Sequence, residues 1–379
     1  IQTNLGAITS DLNMKFPAKG NAAYSGKIST NQFDMGTFLG VKSLGTVSFN
    51  GKVKGSGFSA QTLNASLDGI FSHLQYNDYD YENTVVKGRM DKKFFRGAVH
   101  VNDPNLIITL DGDIDFNTKK PEFNFFADIQ RSNLKKIGFA KDDMNVIGKF
   151  DMNFNGDDID NFLGAVSLYD VAVTKGNQTF VFDTLTLSSQ LIDQQKILQL
   201  RNTEASAFLI GDFTIRELPE AVKQFLNKYY PAYIPPPKKA IKDQNFLFQL
   251  DVKNIDQYLS LINPALRGFN NSTIVGSLNS ATNLMAISTM IPYAAYKNLA
   301  VHDFRLTGLG NMDSLKLTGI IGNTIVNDSL QFPGSKVSIA SSNNVSQLNI
   351  STAATQTIND ARLSAQITNL EDGIKIHFD

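Results

Sequence analysis

Residues 106–130 read "LIITLDGDIDFNTKKPEFNFFADIQ", and two periodicities in this stretch decide the class of the fold. Leu106, Ile108, Leu110, Gly112, Ile114 and Phe116 stand on even positions, while Thr109, Asp111, Asp113 and Asp115 stand on odd ones. After Lys119, Lys120 and Pro121 the apolar phase moves to odd positions. Phe123, Phe125, Ala127 and Ile129 then alternate with Glu122, Asn124, Asp128 and Gln130. Successive side chains of a strand point to opposite faces, so the stretch is predicted to form two strands, each with one apolar and one wet face.

The same residues imitate a calcium loop. Asp111, Asp113, Asp115 and Glu122 fall on four of the six ligand positions of a twelve-residue EF-hand loop. The sixth position, which must be glycine, is Phe116, and the preceding "NLIITL" alternates where a helix should enter. A second near-match, "DMNFNGDDIDNF", has Gly156 in place but ends on Phe162 instead of a bidentate glutamate. The aspartates read as a solvated strand face, and no metal or cofactor is expected.

Taken whole, the chain has the composition of a folded protein with apolar content ample for a continuous core. Of 379 residues 42% are hydrophobic and the formal net charge is -1, which argues against nucleic acid as a partner. The absence of cysteine excludes disulfides and thiolate chemistry. No apolar run approaches a membrane span, and the chain opens at Ile1 without a signal segment, as expected of a piece of something longer. Aromatic content is lopsided, with 27 Phe and 11 Tyr but no Trp.

Alternation recurs along the chain. It is carried by Ile8, Leu12, Met14 and Phe16; by Val47, Phe49 and Val53; by Phe95, Val99 and Val101; by Phe150, Met152 and Phe154; by Phe246, Phe248, Leu250 and Val252; and by Ile374, Ile376 and Phe378. The count is roughly 17 strands, joined by turn signals such as "FNGK", "LDGD", "FNGDD" and "FPGS". After Phe182 the apolar row moves to Leu185 and Leu187, a phase slip that a bulge would produce. "ISTNQFDMGTFL", "IQRSNLKKIGFA" and "LDVKNIDQYLSL" share an apolar pair five residues apart (Ile28/Phe33, Ile129/Leu134, Leu250/Ile255) followed by a helical turn. That is the mark of a long, degenerate repeat.

One segment breaks the pattern. "ELPEAVKQFLNKYY" places Leu218, Val222, Phe225, Leu226 and Tyr229 at helical spacing and runs into a connector holding Pro231, Pro235, Pro236 and Pro237. The domain reading is therefore β repeats over 1–216, an amphipathic helix and proline-rich connector over 217–243, and β repeats continuing over 244–379.

No enzyme is expected. His73, His100, His302 and His377 show no metal spacing, and His100 and His377 fall on the polar phase of their strands. "GNAAYSGKIS" carries Ile28 where a phosphate loop needs a hydroxyl, and "GLGNMD" lacks a dinucleotide fold around it.

The apolar face of so long a sheet must be covered by closure into a barrel, by a second sheet, or by curling so that its own walls face each other. Sequential pairing and repetition favour a curled antiparallel sheet, all-β with a few short helices. An interior filled by side chains and an open apolar trough are both compatible with the pattern.

"LGAITSDLNMKFP", "AYSGKISTNQFDMGTFLG", "LGTVSFNGKVKGSGF", "NDPNLIITLDGDIDFN", "FLNKYYPAYIPPPKK" and "LRGFNNSTIVGSLN" together resemble the periplasmic part of TamB-type proteins of Bacteroidota, within the wider AsmA-like group. The resemblance covers essentially the whole chain. It implies a β-taco, or repeating β-groove, with an apolar interior. It also implies a periplasmic location, an inner-membrane anchor elsewhere in the parent protein, and an outer-membrane barrel of the BamA or TamA kind as partner. Family members move phospholipid towards the outer membrane and assist assembly of outer-membrane proteins. On that reading phospholipid acyl chains would lie against Phe49, Leu106, Ile108, Leu110, Phe123, Phe125, Phe150, Phe154, Phe246 and Phe248, and the fragment would be monomeric. A scaffold that receives client strands on an open sheet edge and a passive spacer are the rival readings.

Overall fold

Twenty-five strands form among the described residues of the computed structural model, which are 2–59, 61–231, 234–239, 241–256, 258–259, 263–311, 313–327, 330–354, 358–370 and 373–378. Strand accounts for 68% of the chain and helix for 6%, so the protein is all-β. The chain divides into two units, Ile1–Thr186 and Leu187–Asp379.

The first unit holds β1 (Gln2–Thr3), β2 (Gly6–Lys15), β3 (Ala23–Asn31), β4 (Phe33–Asp34), β5 (Leu44–Ser56), β6 (Asn64–Tyr76), β7 (Tyr79–Asp91), β8 (Phe94–Asp103), β9 (Leu106–Asp115), β10 (Glu122–Ser132), β11 (Met144–Asn155) and β12 (Leu163–Lys175). From β1 to β12 each pairs antiparallel with the next, except that β3 pairs with β5 and the short β4 lies on the end of β5. The division between units falls inside β13 (Gln178–Ile192). There the burial phase slips as expected: Phe180 and Phe182 face inward, Asp183 and Thr184 are both exposed, and inward positions resume at Leu185 and Leu187.

The second unit continues with β14 (Gln195–Asn202), β15 (Ala205–Asp212), β16 (Asn245–Val252), β17 (Leu266–Gly268), β18 (Ser272–Asn279), β19 (Leu284–Tyr296), β20 (Leu299–Gly310), β21 (Ser314–Val326), β22 (Leu330–Ser342), β23 (Val345–Ala354), β24 (Ile358–Leu370) and β25 (Gly373–Phe378). It is again a sequential antiparallel meander, with β16 pairing with β18 and β17 lying beside β19.

The strand number exceeds the sequence-based count of roughly 17; β1, β4 and β17 are only two or three residues long, and β22 and β23 are rich in Ser, Asn and Gln, which blurs their alternation. Three of the expected turns are also corrected. "FNGK" lies within β5, "LDGD" within β9 and "FPGS" within β22, whereas "FNGDD" does end β11. Tight hairpins occur instead at Asn77–Asp78, Asp193–Gln194 and Asn343–Asn344, each with both residues at positive φ. That is the backbone of the two-residue turns whose twist matches a right-handed sheet.

Long hairpin connections carry the helices. α1 (Met35–Leu39) starts where Asp34 accepts a hydrogen bond from the Thr37 amide at 2.8 Å and stops at Gly40, which is left-handed at φ 70°. At the second copy of the motif the chain makes a single turn, with the Ile137 amide bonded to the Asn133 carbonyl at 3.1 Å. In the third copy Asp256, Tyr258 and Leu259 are helical, while Gln257 and residues 260–262 lie outside the described residues.

α2 (Leu218–Asn227) has Pro219 in its first turn, where a missing N–H costs nothing. The helix and connector fall inside the second unit. Ala232, Tyr233 and Ala240 of the connector lie outside the described residues.

α2 shows how the second unit curls. Ala221, Phe225 and Tyr229 form one buried cluster with Phe213, Phe246 of β16, Leu278 of β18 and Leu315 of β21. β16 and β21 are four strand steps apart, about 19 Å across a flat sheet at ~4.8 Å per step. They reach one helical turn only because the sheet is concave around it. The segment after α2 extends the same contact: Tyr229 Oη donates to the Asn311 and Ser314 carbonyls, Tyr230 Oη meets Ser341 Oγ at 2.9 Å, and Asn369 Nδ2 of β24 donates to the Tyr229 carbonyl at 2.7 Å.

Candidate functional site

Cross-strand register assembles the alternating residues into continuous rows. In the first unit one row runs Leu12, Gly26, Val53, Leu67, Gly88, Gly97, Gly112, Phe125, Met152, Val166. Beside it Leu110, Ala127, Phe150 and Leu168 continue a second row, and Ile114, Phe123, Phe154 and Gly164 a third. In the second unit Leu198, Leu209, Phe248, Gly276, Ile287, Gly308, Leu317, Ile339, Leu348 and Ala365 form the matching row. None of these rows contains Asp, Glu, Lys or Arg.

The charges occupy the opposite face. Arg96 grips Asp113 through two hydrogen bonds, Nε to Oδ1 at 2.5 Å and Nη2 to Oδ2 at 2.6 Å. His100 Nδ1 meets Thr109 Oγ1 at 3.0 Å on the same exposed face. This places the aspartates that resemble a calcium loop in cross-strand pairing and turn capping, with Asp115 accepting from the Asn117 amide at 2.7 Å.

Glycine and phenylalanine alternate across neighbouring strands. The Phe49 ring lies over Gly51 and Gly69, Phe95 over Gly88 and Phe248 over Gly276, each where a Cβ would collide with the ring at under 3 Å. On the concave side of a curved sheet side chains converge, and a glycine beneath each ring gives the room. The mid-strand "NG" and "DG" pairs are therefore packing positions, which is why they do not turn.

Burial is distributed in an unusual way. In a filled sandwich the central rows are the most buried. Here every residue of the row from Leu12 to Val166 is half-buried, and none is fully buried. Full burial occurs at Ala127 of the second row and under the hairpin connections. Tyr81, Val101 and Ile137 close over Leu74, Leu106, Ile108 and Leu134; Phe162 covers Phe154 with ring centroids 5.1 Å apart; and the α2 cluster covers Phe246.

Two apolar cavities lie beside helices. One, about 440 Å³, is lined by Leu39 at the end of α1 and by Val41, Leu63, Met90, Phe94, Phe95, Ile114 and Phe116, with Lys92 and Lys93 beside them. The other, about 490 Å³, lies between α2 and the rows of β14 to β19. Both are within the size range of small-ligand sites.

The ten expected lining residues separate accordingly. Leu110, Phe123, Phe125, Phe150 and Phe154 stand half-buried on one face of the first unit, with Phe123 stacked on Phe154 at 4.7 Å. Phe248 lines the larger cavity. Leu106 and Ile108 sit on the same face but under the Ile137 turn. Phe49 is buried against Phe71 at 4.8 Å, and Phe246 is buried beneath α2. Sequence reading passed over Leu67, Leu198, Leu209 and Ile287, which complete the rows, and over Ala221, the residue of α2 that is wholly buried. Val222, counted with the packing stripe, is 40% exposed and faces the larger cavity.

Comparison of the chain with protein-family models, curated proteins and solved structures yields no match. The functional reading rests on the molecule itself. Among the described residues no helix is long and apolar enough to cross a membrane.

A buried polar knot holds one margin of the face. Asp103, 2% exposed, accepts from Tyr79 Oη at 2.7 Å, from the Glu82 amide at 3.0 Å and from the Asn105 amide at 2.7 Å, so its oxygens are well satisfied. Tyr81 packs edge-on to Tyr79, and burial, the largest cause, pushes its hydroxyl from 10.0 up to about 12. Burial also raises Tyr24, Tyr79 and Tyr229. Above pH 10 the unfolded chain therefore loses these protons before the folded chain does. The contribution of Tyr81 to stability is intact below pH 10 and is lost as pH rises towards about 12. Urea midpoints measured at stepped alkaline pH are expected to fall over that window, and Tyr81→Phe should flatten the fall.

Proposed function

We propose that this chain is a segment of a bridge-like periplasmic protein whose apolar trough carries phospholipid acyl chains between the inner and outer membranes, in support of outer-membrane biogenesis. The observation that supports it is the central row from Leu12 to Val166: continuous across ten strands, without a formal charge, and only half-buried. A face of that kind costs free energy in water and is uncommon without a ligand or partner. Hydrocarbon chains suit it because each methylene they bury contributes about 0.8 kcal/mol and asks for no hydrogen bond. Headgroups would remain in solvent, since no row offers them a counter-charge. The resemblance to TamB-type proteins points the same way and supplies the proposed setting, an inner-membrane anchor in the parent protein and a BamA- or TamA-type barrel as its partner.

The test is photo-crosslinking in cells, with a photoreactive residue at Phe125 in one variant and at Asn124 in another, followed by mass spectrometry of the adducts. Phe125 lies in the central row and Asn124 on the exposed face, level with Asp113 and Asn153. Phospholipid captured at Phe125 and absent at Asn124 is the expected result. Capture at neither position would remove the lipid reading and favour a protein-assembly scaffold.

A further inference from the structure

We propose that the cavity beneath α2 is a discrete binding site for one aliphatic chain, entered methyl end first, with the helix as its end wall. The inference rests on the reading of the trough as a surface for acyl chains, and adds that in the second unit the trough is interrupted. Two features carry it.

The first is the helix itself, whose single apolar face is wider than the part the sheet covers. Ala221, Phe225 and Tyr229 are buried against the sheet and tied to β21 and β24. Leu218, Pro219 and Val222 carry that face on to the cavity, where Val222 stays 40% exposed.

The second is the cavity's chemistry. Its volume is about 490 Å³, and Leu198, Leu209, Phe248 and Ile287 face Pro219 and Val222 across it with no charged side chain in the lining. A carboxylate or phosphate driven against this wall would be buried without a partner, at a large cost. A methyl terminus pays nothing of the kind. The orientation of the chain follows: tail against α2, polar end towards the open side.

The protein has no tryptophan, so one can be introduced as a reporter in the full chain. Val222→Trp adds bulk at a half-open position, and Ile287→Trp on the opposite wall serves if the helix does not accept it; circular dichroism checks the fold of each. The probes are two stearic acids, one bearing a nitroxide near its methyl end and one near its carboxylate. Val222→Trp should be quenched several-fold more by the methyl-end label. Phe125→Trp, in the first unit, should be quenched without that ordering. Equal quenching by both labels at Val222→Trp, or none there while Phe125→Trp responds, would overturn the end-wall site and leave the acyl-chain reading standing. No quenching in either variant would overturn both.

Discussion

Phe225→Ala is expected to cost the second unit about 3–5 kcal/mol, the range for removing a large aromatic from a core. The ring is 2% exposed and sits where strands from both walls of the curl converge. It lies near Tyr229 at 5.4 Å, belongs to the cluster of Phe246, Leu278 and Leu315, and would be only 2.4 Å from a Cβ at Gly310. Neighbours can close a cavity only by moving strands that are already paired on both sides, so collapse of the void will be incomplete. Hydrogen exchange followed by mass spectrometry should show protection lost in α2 and in the β20–β21 hairpin, together with a lower denaturation midpoint. A loss under about 1 kcal/mol, the level of an ordinary surface change, would mean that α2 is not what holds the curl.

Gly112→Ala is expected to destabilise the first unit by about 2–5 kcal/mol, combining backbone strain with overpacking. Gly112 has φ +144°, and a Cβ there would lie 2.2 Å from the Asn124 carbonyl oxygen and 2.5 Å from the Phe125 Cα. Both obstacles are in or attached to the neighbouring backbone, so no rotamer change relieves them. Gly373→Ala provides the contrast, since nothing lies within 4 Å of its added Cβ, and it should stay within about 0.5 kcal/mol of the parent. Equal denaturation midpoints for the two variants would contradict the close cross-strand approach at Gly112. Because Phe125 is the neighbour displaced, Gly112→Ala should also weaken lipid capture at position 125.

How much of this was legible before the structure depends on the range of the interaction. The alternation of Phe123, Phe125, Ala127 and Ile129 against Glu122, Asn124 and Asp128 is a local property of an extended chain, and it recurs as one face of β10. The helix at 218–227 was equally visible from its spacing and Pro219. The phase slip after Phe182 was readable because a single extra residue moves every later side chain to the other face. The glycines misled in part. Gly51 and Gly112 look like turn residues in a one-dimensional reading, and only the ring over the first and the strand beside the second explain them as positions of close approach.

The candidate site divides in the same way. That Phe125 and Phe246 each belong to an apolar strand row is a matter of sequence period. That Phe125 is half-open and Phe246 covered is not, because depth depends on which distant segment folds over a residue: nothing covers the former fully, while α2 and Phe213 close over the latter.

By itself, then, the amino-acid order determined an antiparallel all-β chain with one uncharged apolar face, since strand phase is set by neighbours two residues apart. Tertiary structure alone decided that the sheet of the second unit is concave around α2, that the central row of the first unit remains half-buried, and that a helix borders a cavity in the second unit. Those outcomes come from contacts between residues such as Phe225 and Leu315, or Tyr229 and Asn369, which are separated by tens to hundreds of residues and leave no period in the sequence.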